Sequence, residues 1–358
     1  MSFHIPPDLT YQELRAIVPN IFAKASPVFD TVVELEKKGE SHGNGIMLLL
    51  FGALMNATGR IEEAERYLLR AIDEDPALPR KVLKPANPSS KERIRTGART
   101  VAVEQCPVCS SGRRTSVFAG LAILHPLYHP GLYPVLHWVQ CDECTHVYVG
   151  NLNRAGAFEE GPPRLSPHIS RPDPARYGRD RVSVSHLAQL RPGGHVLELG
   201  PGAGTRMAAL RDMGMAVAGI EHSPLLARRC ARQGLDVLNE DFFQHRPPTP
   251  YDIVVLGDVV EHLPDLHATL TNCRKLTAPD GLLWVSTPLF DDPELQRRRR
   301  AGRDPYFVQV EHAHYFTAAS MGRLIHTHGY SQIGRRRGSS FLGSHEFTFG
   351  KTRYRYEQ

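Results

Sequence analysis

Three groups of residues have types and spacings suited to chemistry. Cys106-Pro-Val-Cys109 and Cys141-Asp-Glu-Cys144 are two CxxC knuckles separated by 31 residues. Four thiolates in that arrangement suit a tetrahedral zinc ion, and four protein ligands leave no open position for catalysis, so the expected site is structural. The second group is the run Glu198-Leu199-Gly200-Pro201-Gly202-Ala203-Gly204, which follows an apolar stretch. Glycines at a turn let backbone approach a ligand that a Cβ would exclude. The third is Gly257-Asp258-Val259-Val260-Glu261-His262. It sets a carboxylate beside an imidazole, the residue types of positioned proton transfer.

The elements that would carry these groups differ along the chain. From about residue 176, short β-branched runs alternate with amphipathic helical patterns, the signature of a parallel α/β sheet. HVLELG leads into the glycines, and AVAGIEHS (216–223), LDVLNEDFF (235–243), YDIVVLGDVVEHL (251–263) and GLLWVSTP (281–288) read as the next four strands. GYSQIGRRRG and SHEFTFGKTR read as the last two, one of them antiparallel. Ligands of open α/β sheets bind at the carboxyl ends of the strands, where the second and third groups both fall. Upstream, residues 46–56 and 61–73 show helical spacing around a turn at 57–60. The stretch 80–100 is basic and reads as a linker, and 151–175 is irregular with five prolines.

The order of these pieces resembles class I S-adenosylmethionine (SAM)-dependent methyltransferases over about residues 176–358. That resemblance implies a Rossmann-like seven-stranded sheet with an antiparallel edge strand. Gly200, Gly202 and Gly204 match the family's first motif. Glu198 then helps to hold the methionine ammonium, Glu221 the ribose hydroxyls, and Asp241 with Phe242 the adenine. Gly257 and Asp258 lie beside the sulfonium, His262 is the general base, and Glu261 orients or assists it. The cysteine knuckles ahead of this half resemble those of sugar methyltransferases with an N-terminal zinc-binding segment. Asp258, Glu261 and His262 also resemble the acid-x-x-Glu-His pattern of ubiquinone-type O-methyltransferases, which can hold a divalent metal. Near the N-terminus, Gly52, Ala64, Leu68, Ala71 and Pro76 resemble one tetratricopeptide repeat, with Met55 in place of its usual aromatic.

The expected organisation is a helical segment over 1–84, a zinc-ribbon-like segment over 100–150 too small for a core of its own, and the SAM-binding domain over 176–358. The expected activity is O- or C-methylation of a small molecule, such as a sugar nucleotide or a secondary metabolite. A methyltransferase acting on RNA or a peptide, and an inactive SAM-binding scaffold, are the alternatives. No NPPY-like or Pro-Cys motif follows the fourth strand, and no dense basic-aromatic alternation marks a single-strand channel. The excess of 43 Lys and Arg over 38 Asp and Glu does not require an acidic partner. With no apolar run of membrane-spanning length and no secretory pattern at the first residues, the expected location is cytoplasmic. The helical hairpin is a candidate for docking or homodimerisation. Cys230 and Cys273 are read as buried apolar thiols. His125, His129, His137, His312 and His314 are secondary candidates for the substrate cleft, with Arg297–Arg300 and Arg335–Arg337 bordering its mouth.

Overall fold

The computed structural model describes residues 44–75, 100–154, 157, 174–300, 304–338 and 341–352. The linker and most of the proline-rich stretch read from the sequence, and Pro76, lie outside them. So does the rest of the expected helical segment.

Seven strands form the main sheet, in the order β12-β13-β10-β9-β6-β7-β8. These are β6 (His195–Leu199), β7 (Ala216–Ile220), β8 (Asp236–Leu238), β9 (Tyr251–Gly257), β10 (Thr277–Pro288), β12 (Tyr330–Arg337) and β13 (Ser344–Lys351). The first five are mutually parallel, and β13 runs antiparallel to both β10 and the edge strand β12. Side chains alternate across each strand, so the near-continuous apolar runs feed both faces. Val196, Ile253, Val255, Leu282 and Trp284 pack on one side with α3 (Pro174–Leu190) and α4 (Thr205–Asp212). Leu197, Val254, Leu256, Leu283 and Val285 pack on the other with α6 (Leu266–Leu276) and α8 (Ala318–Thr327), while α5 (Pro224–Arg232) follows β7 and α7 (Pro293–Arg300) follows β10. Strand order reverses at β6, with β7 on one side and β9 on the other, which opens a crevice above their carboxyl ends.

Besides a two-stranded ribbon of β1 (Thr100–Ala102) and β5 (Asn151–Asn153), a second, antiparallel sheet has the order β11-β4-β3-β2. Its strands are β2 (Arg114–Leu121), β3 (Val135–Cys141), β4 (Val147–Val149) and β11 (His314–Tyr315). The last of these comes from the C-terminal half. A helical hairpin, α1 (Asn44–Ala57) and α2 (Ile61–Glu74), covers one face and shares a core with Trp138, Phe307 and Tyr315. Gly52 lets the two helices approach, since a Cβ there would come within 2.6 Å of the Leu68 side chain. Asn56 fastens the hairpin to β2 through paired bonds with Ala119, at 2.8 and 2.9 Å. Val139, Cys141 and Tyr148 join the core of the main sheet instead. The cysteine-bearing segment therefore does not depend on metal alone for a core: it borrows apolar surface from elements distant in sequence. No helix among the described residues is long and apolar enough to cross a membrane.

Candidate active site

The glycine turn has the backbone its residues imply. Gly200, Gly202 and Gly204 have φ of 63°, 58° and 77°, a region that costs other residues energy. A Cβ on Gly204, which begins α4, would come within 2.5 Å of Leu235 Cδ1. At the end of β7, Glu221 accepts from the Gly202 N–H at 3.0 Å and the Ser223 N–H at 2.8 Å. Beyond β8, Asp241 accepts from Phe243 N–H at 2.9 Å while Phe242 turns inward and is buried. Gly200, Gly202, Glu221, Asp241, Phe242, Gly257 and Asp258 all line one cleft of about 1350 Å³.

Glu198 does not line it. The side chain is fully buried, and Arg206 covers it, with Nη1 donating to Glu198 Oε1 at 2.8 Å. The guanidinium continues to Asp258 Oδ2 at 3.2 Å and to Asp180 on α3 at 3.8 Å, and it lies over the Trp284 ring at 5.2 Å. Burial opposes its charge, but Glu198, Asp180 and Asp258 outweigh that and raise its pKa. Burial also raises Glu198 and Asp258, and Arg206 opposes both shifts. A cation, not the expected carboxylate, thus faces the cleft beside Gly257. Asp258, with φ of 58°, is further fixed by accepting from Ser286 Oγ at 3.0 Å. This left-handed conformation is one Asp tolerates better than most residues.

In the same cleft, a short 3₁₀ turn after β9 carries Glu261 and His262. His262 Nδ1 donates to the Glu311 carbonyl at 3.1 Å, so in the neutral ring Nε2 is the acceptor. The orienting partner is therefore that carbonyl and not Glu261. Although the ring opens on the cleft, desolvation lowers its pKa, against the pull of Glu311. Glu261 is buried, its Oε2 has no partner among the described residues, and burial followed by the neighbouring Asp258 pushes its carboxyl well up. The donors that come within metal-sharing distance are Glu261, His262 and His312, all within 4.8 Å of one another. Asp258, expected in that set, is held by Arg206 and Ser286 instead. The His312 ring stacks on Tyr306 with centroids 5.5 Å apart, and both line the cleft.

The four cysteines do converge. Cys106 and Cys144 Sγ are 3.5 Å apart, as are Cys109 and Cys141, and all four fall within 4.8 Å of one another. Zinc–sulfur bonds of about 2.3 Å imply sulfur pairs about 3.8 Å apart in a tetrahedron. The donor set fits that ion. Cys230 and Cys273 are buried as expected, and burial pushes their thiols up to about 11 and about 12.

Several candidates fall elsewhere. Neither basic run lines the cleft: Arg297 and Arg298 pair with Glu294, Arg299 with Asp304, Arg336 with Glu346 and Arg337 with Asp292. Arg335 lies over Phe347. His137 bridges Glu65 and Ser116 at 2.6 and 3.0 Å, away from the cleft. His125 and His129 do not line it either, and His314 is buried behind it. Arg206, Asp180 and Tyr306 carried no sequence signal, because their partners are brought together only by the fold.

Residues 175–333 match a family described as a methyltransferase domain. Similar curated proteins include the ubiquinone biosynthesis O-methyltransferase of Caulobacter vibrioides, 30% identical over 127 residues, covering 32% of this chain and 46% of that protein. Another is the enzyme of the same name from Xylella fastidiosa strain M23, 30% identical over 142 residues, covering 37% and 54%. The chain spans about half the length of the curated relatives it matches. Among solved structures, the 1,6-didemethyltoxoflavin-N1-methyltransferase of Burkholderia thailandensis aligns with 17% identity over 59% of this chain and 98% of that one, at a TM-score of 0.40. The magnesium protoporphyrin IX methyltransferase of Synechocystis PCC 6803 aligns with 18% identity over 54% and 90%, at 0.42. Residues 175–333, which contain the five parallel strands of the Rossmann-like sheet, form a methyltransferase domain.

Proposed function

We propose that the protein transfers the methyl group of SAM to an oxygen or carbon of a small molecule, with His262 as general base. One observation carries this reading: a single cleft is lined both by the glycine turn and by an imidazole whose acceptor nitrogen is Nε2. Bound SAM supplies an electrophilic methyl group on a positively charged sulfur. Gly200 and Gly202 admit it, while Gly204, outside the cleft, lets the turn pack on Leu235; Glu221 offers its carboxylate to the ribose, and Asp241 with Phe242 flanks the adenine. Arg206 replaces Glu198 as the charged group facing the methionine end, where a guanidinium suits a carboxylate. His262 takes the acceptor's proton, a role worth about 10²–10⁴-fold.

The small molecule is a secondary metabolite or a sugar nucleotide, as in the expectation from sequence. The first is favoured, because Arg176 and Arg206 are the only Lys or Arg among the described residues lining the cleft, beside carboxylates including Glu240, Asp265 and Glu311. A diphosphate would lack a clamp there. The four cysteines hold a structural zinc. A dimer through α1 and α2 would use their outer surface, since their apolar face is covered by β2 and β3.

Incubating the full chain with methyl-labelled SAM and a panel of phenols, hydroxylated metabolites and sugar nucleotides tests the proposal. Label is expected in a hydroxylated or phenolic acceptor. Label only in RNA or peptide controls would move the assignment to a macromolecular substrate, and none anywhere would favour a scaffold.

A further inference from the structure

We propose that His314 and His146 are positioning residues, which hold the His262 loop against the cysteine-bearing sheet. The proposal rests on the reading of His262 as the base, but its geometry stands independently.

Three hydrogen bonds tie residues 261–263 to residues 311–314. Ala313 N–H donates to the Glu261 carbonyl at 2.9 Å, His262 Nδ1 donates to the Glu311 carbonyl at 3.1 Å, and His314 Nε2 donates to the Leu263 carbonyl at 2.9 Å. The 311–314 segment is in turn mounted on the second sheet. His314 and Tyr315 pair with Tyr148 and Val147 of β4, and Val149 N–H donates to the Ala313 carbonyl at 3.0 Å. The candidate base is thus anchored through β11 to a strand that begins three residues after Cys144.

The side chains add a directed relay. A carbonyl only accepts, so His314 Nε2 carries the proton and its Nδ1, in a neutral ring, must accept. The partner 3.1 Å away is His146 Nε2, which therefore donates. Both rings are buried, and these bonds give each a single tautomer, with the proton on Nε2. His146 is wedged among Tyr148, Phe316 and His314, with ring centroids 4.6–5.9 Å away. Its Nδ1 has no partner among the described residues. The ring is accordingly held with its one N–H aimed at His314, and the Cys141 N–H fixes the His146 carbonyl at 2.8 Å. Neither histidine lines the cleft, so each acts through the loop and not on a substrate.

The test is the tautomer of His262 in the full-length, zinc-loaded protein with ¹⁵N-labelled histidine rings, read from two-bond proton–nitrogen spectra. The His262 signals are assigned by their loss in His262→Ala. In the wild type they should report a single Nδ1-protonated form. His314→Phe should lose that form and give a mixed or broadened pattern, and His314→Gln, which retains an N–H donor, should restore it. His146→Phe keeps the ring packing and should produce a smaller change in the same direction, and it carries the test if His314→Phe does not fold. A folded His314→Phe protein with unchanged His262 signals would overturn the proposal, as would a Gln variant as perturbed as the Phe one. If the methyltransferase reading itself is wrong, no variant transfers methyl, yet the spectra still change as described.

Discussion

Arg206 stands between Glu198 and the cleft, with its Nη1 2.8 Å from Glu198 Oε1 and its Nη2 3.2 Å from Asp258 Oδ2. One buried cation therefore compensates carboxylates from β6, α3 and the loop after β9. Removing one partner of a buried charge set costs far more than the net worth of the set, typically about 3–5 kcal/mol. Arg206→Met should lower unfolding free energy by about that amount in urea titrations, and Glu198→Gln by less, because an amide oxygen still accepts from Nη1. A loss under about 1 kcal/mol in the Met variant would mean that the carboxylates find other compensation.

The base must be neutral to accept a proton. Desolvation puts the His262 pKa below its ordinary value of 6.5, so the acidic limb of a kcat profile should lie below that pH and the rate should be level through neutrality. His262→Ala should spare binding of S-adenosylhomocysteine and reduce turnover by about 10²–10⁴-fold. A rate still climbing above pH 7.5 in the wild type, or unchanged turnover in the variant, would remove His262 from that role.

Stability should respond to acid for a related reason. His146, His312 and His314 are buried neutral, with pKa values depressed by desolvation, His314 to about 4. Unfolding restores values near 6.5, so the unfolded chain binds more protons between roughly pH 6.5 and 4. Their contribution is complete above about 6.5 and is lost as pH falls through the folded values. Tm should drop steadily across that window, and a Tm level from pH 7 to 4.5 would contradict the burial described.

The cysteines should hold about one zinc per chain in elemental analysis after purification without chelators. Cys141→Ser should reduce that content and lower Tm. Absence of metal in the wild-type protein would leave the four thiols without the role assigned.

Neutralising the arginine runs should change little. Arg297→Ala and Arg298→Ala remove exposed pairs with Glu294, and such pairs contribute about 0–1 kcal/mol. Turnover should be unaffected, because neither residue lines the cleft. A marked loss of turnover would place them near the substrate after all.

The main sheet was legible because its strands are short, apolar and evenly spaced, and because Gly200, Gly202 and Gly204 mark the strand-to-helix turn where positive φ is needed. The four cysteines declared themselves by spacing alone. Arg206 did not: it sits in an ordinary helical position, and two of its acidic partners, Asp180 and Asp258, lie 26 residues before it and 52 after it. That one side chain is what separates Glu198 from the cleft. The second sheet was hidden for a similar reason. β11 is two residues long, too short for a period to show, and it closes a sheet begun some two hundred residues earlier. The third member of the Glu261–His262 group, His312, comes from the same distant segment.

The central claim is that the crevice over the glycine turn takes the sulfonium cofactor. Calorimetric titration of S-adenosylhomocysteine into the full chain and into Gly202→Val tests it most directly. The account predicts one site per chain in the wild type and no measurable binding in the variant, whose side chain would enter the cleft from a residue with φ of 58°. Equal affinity in the two proteins, or no heat from the wild type at all, would contradict it.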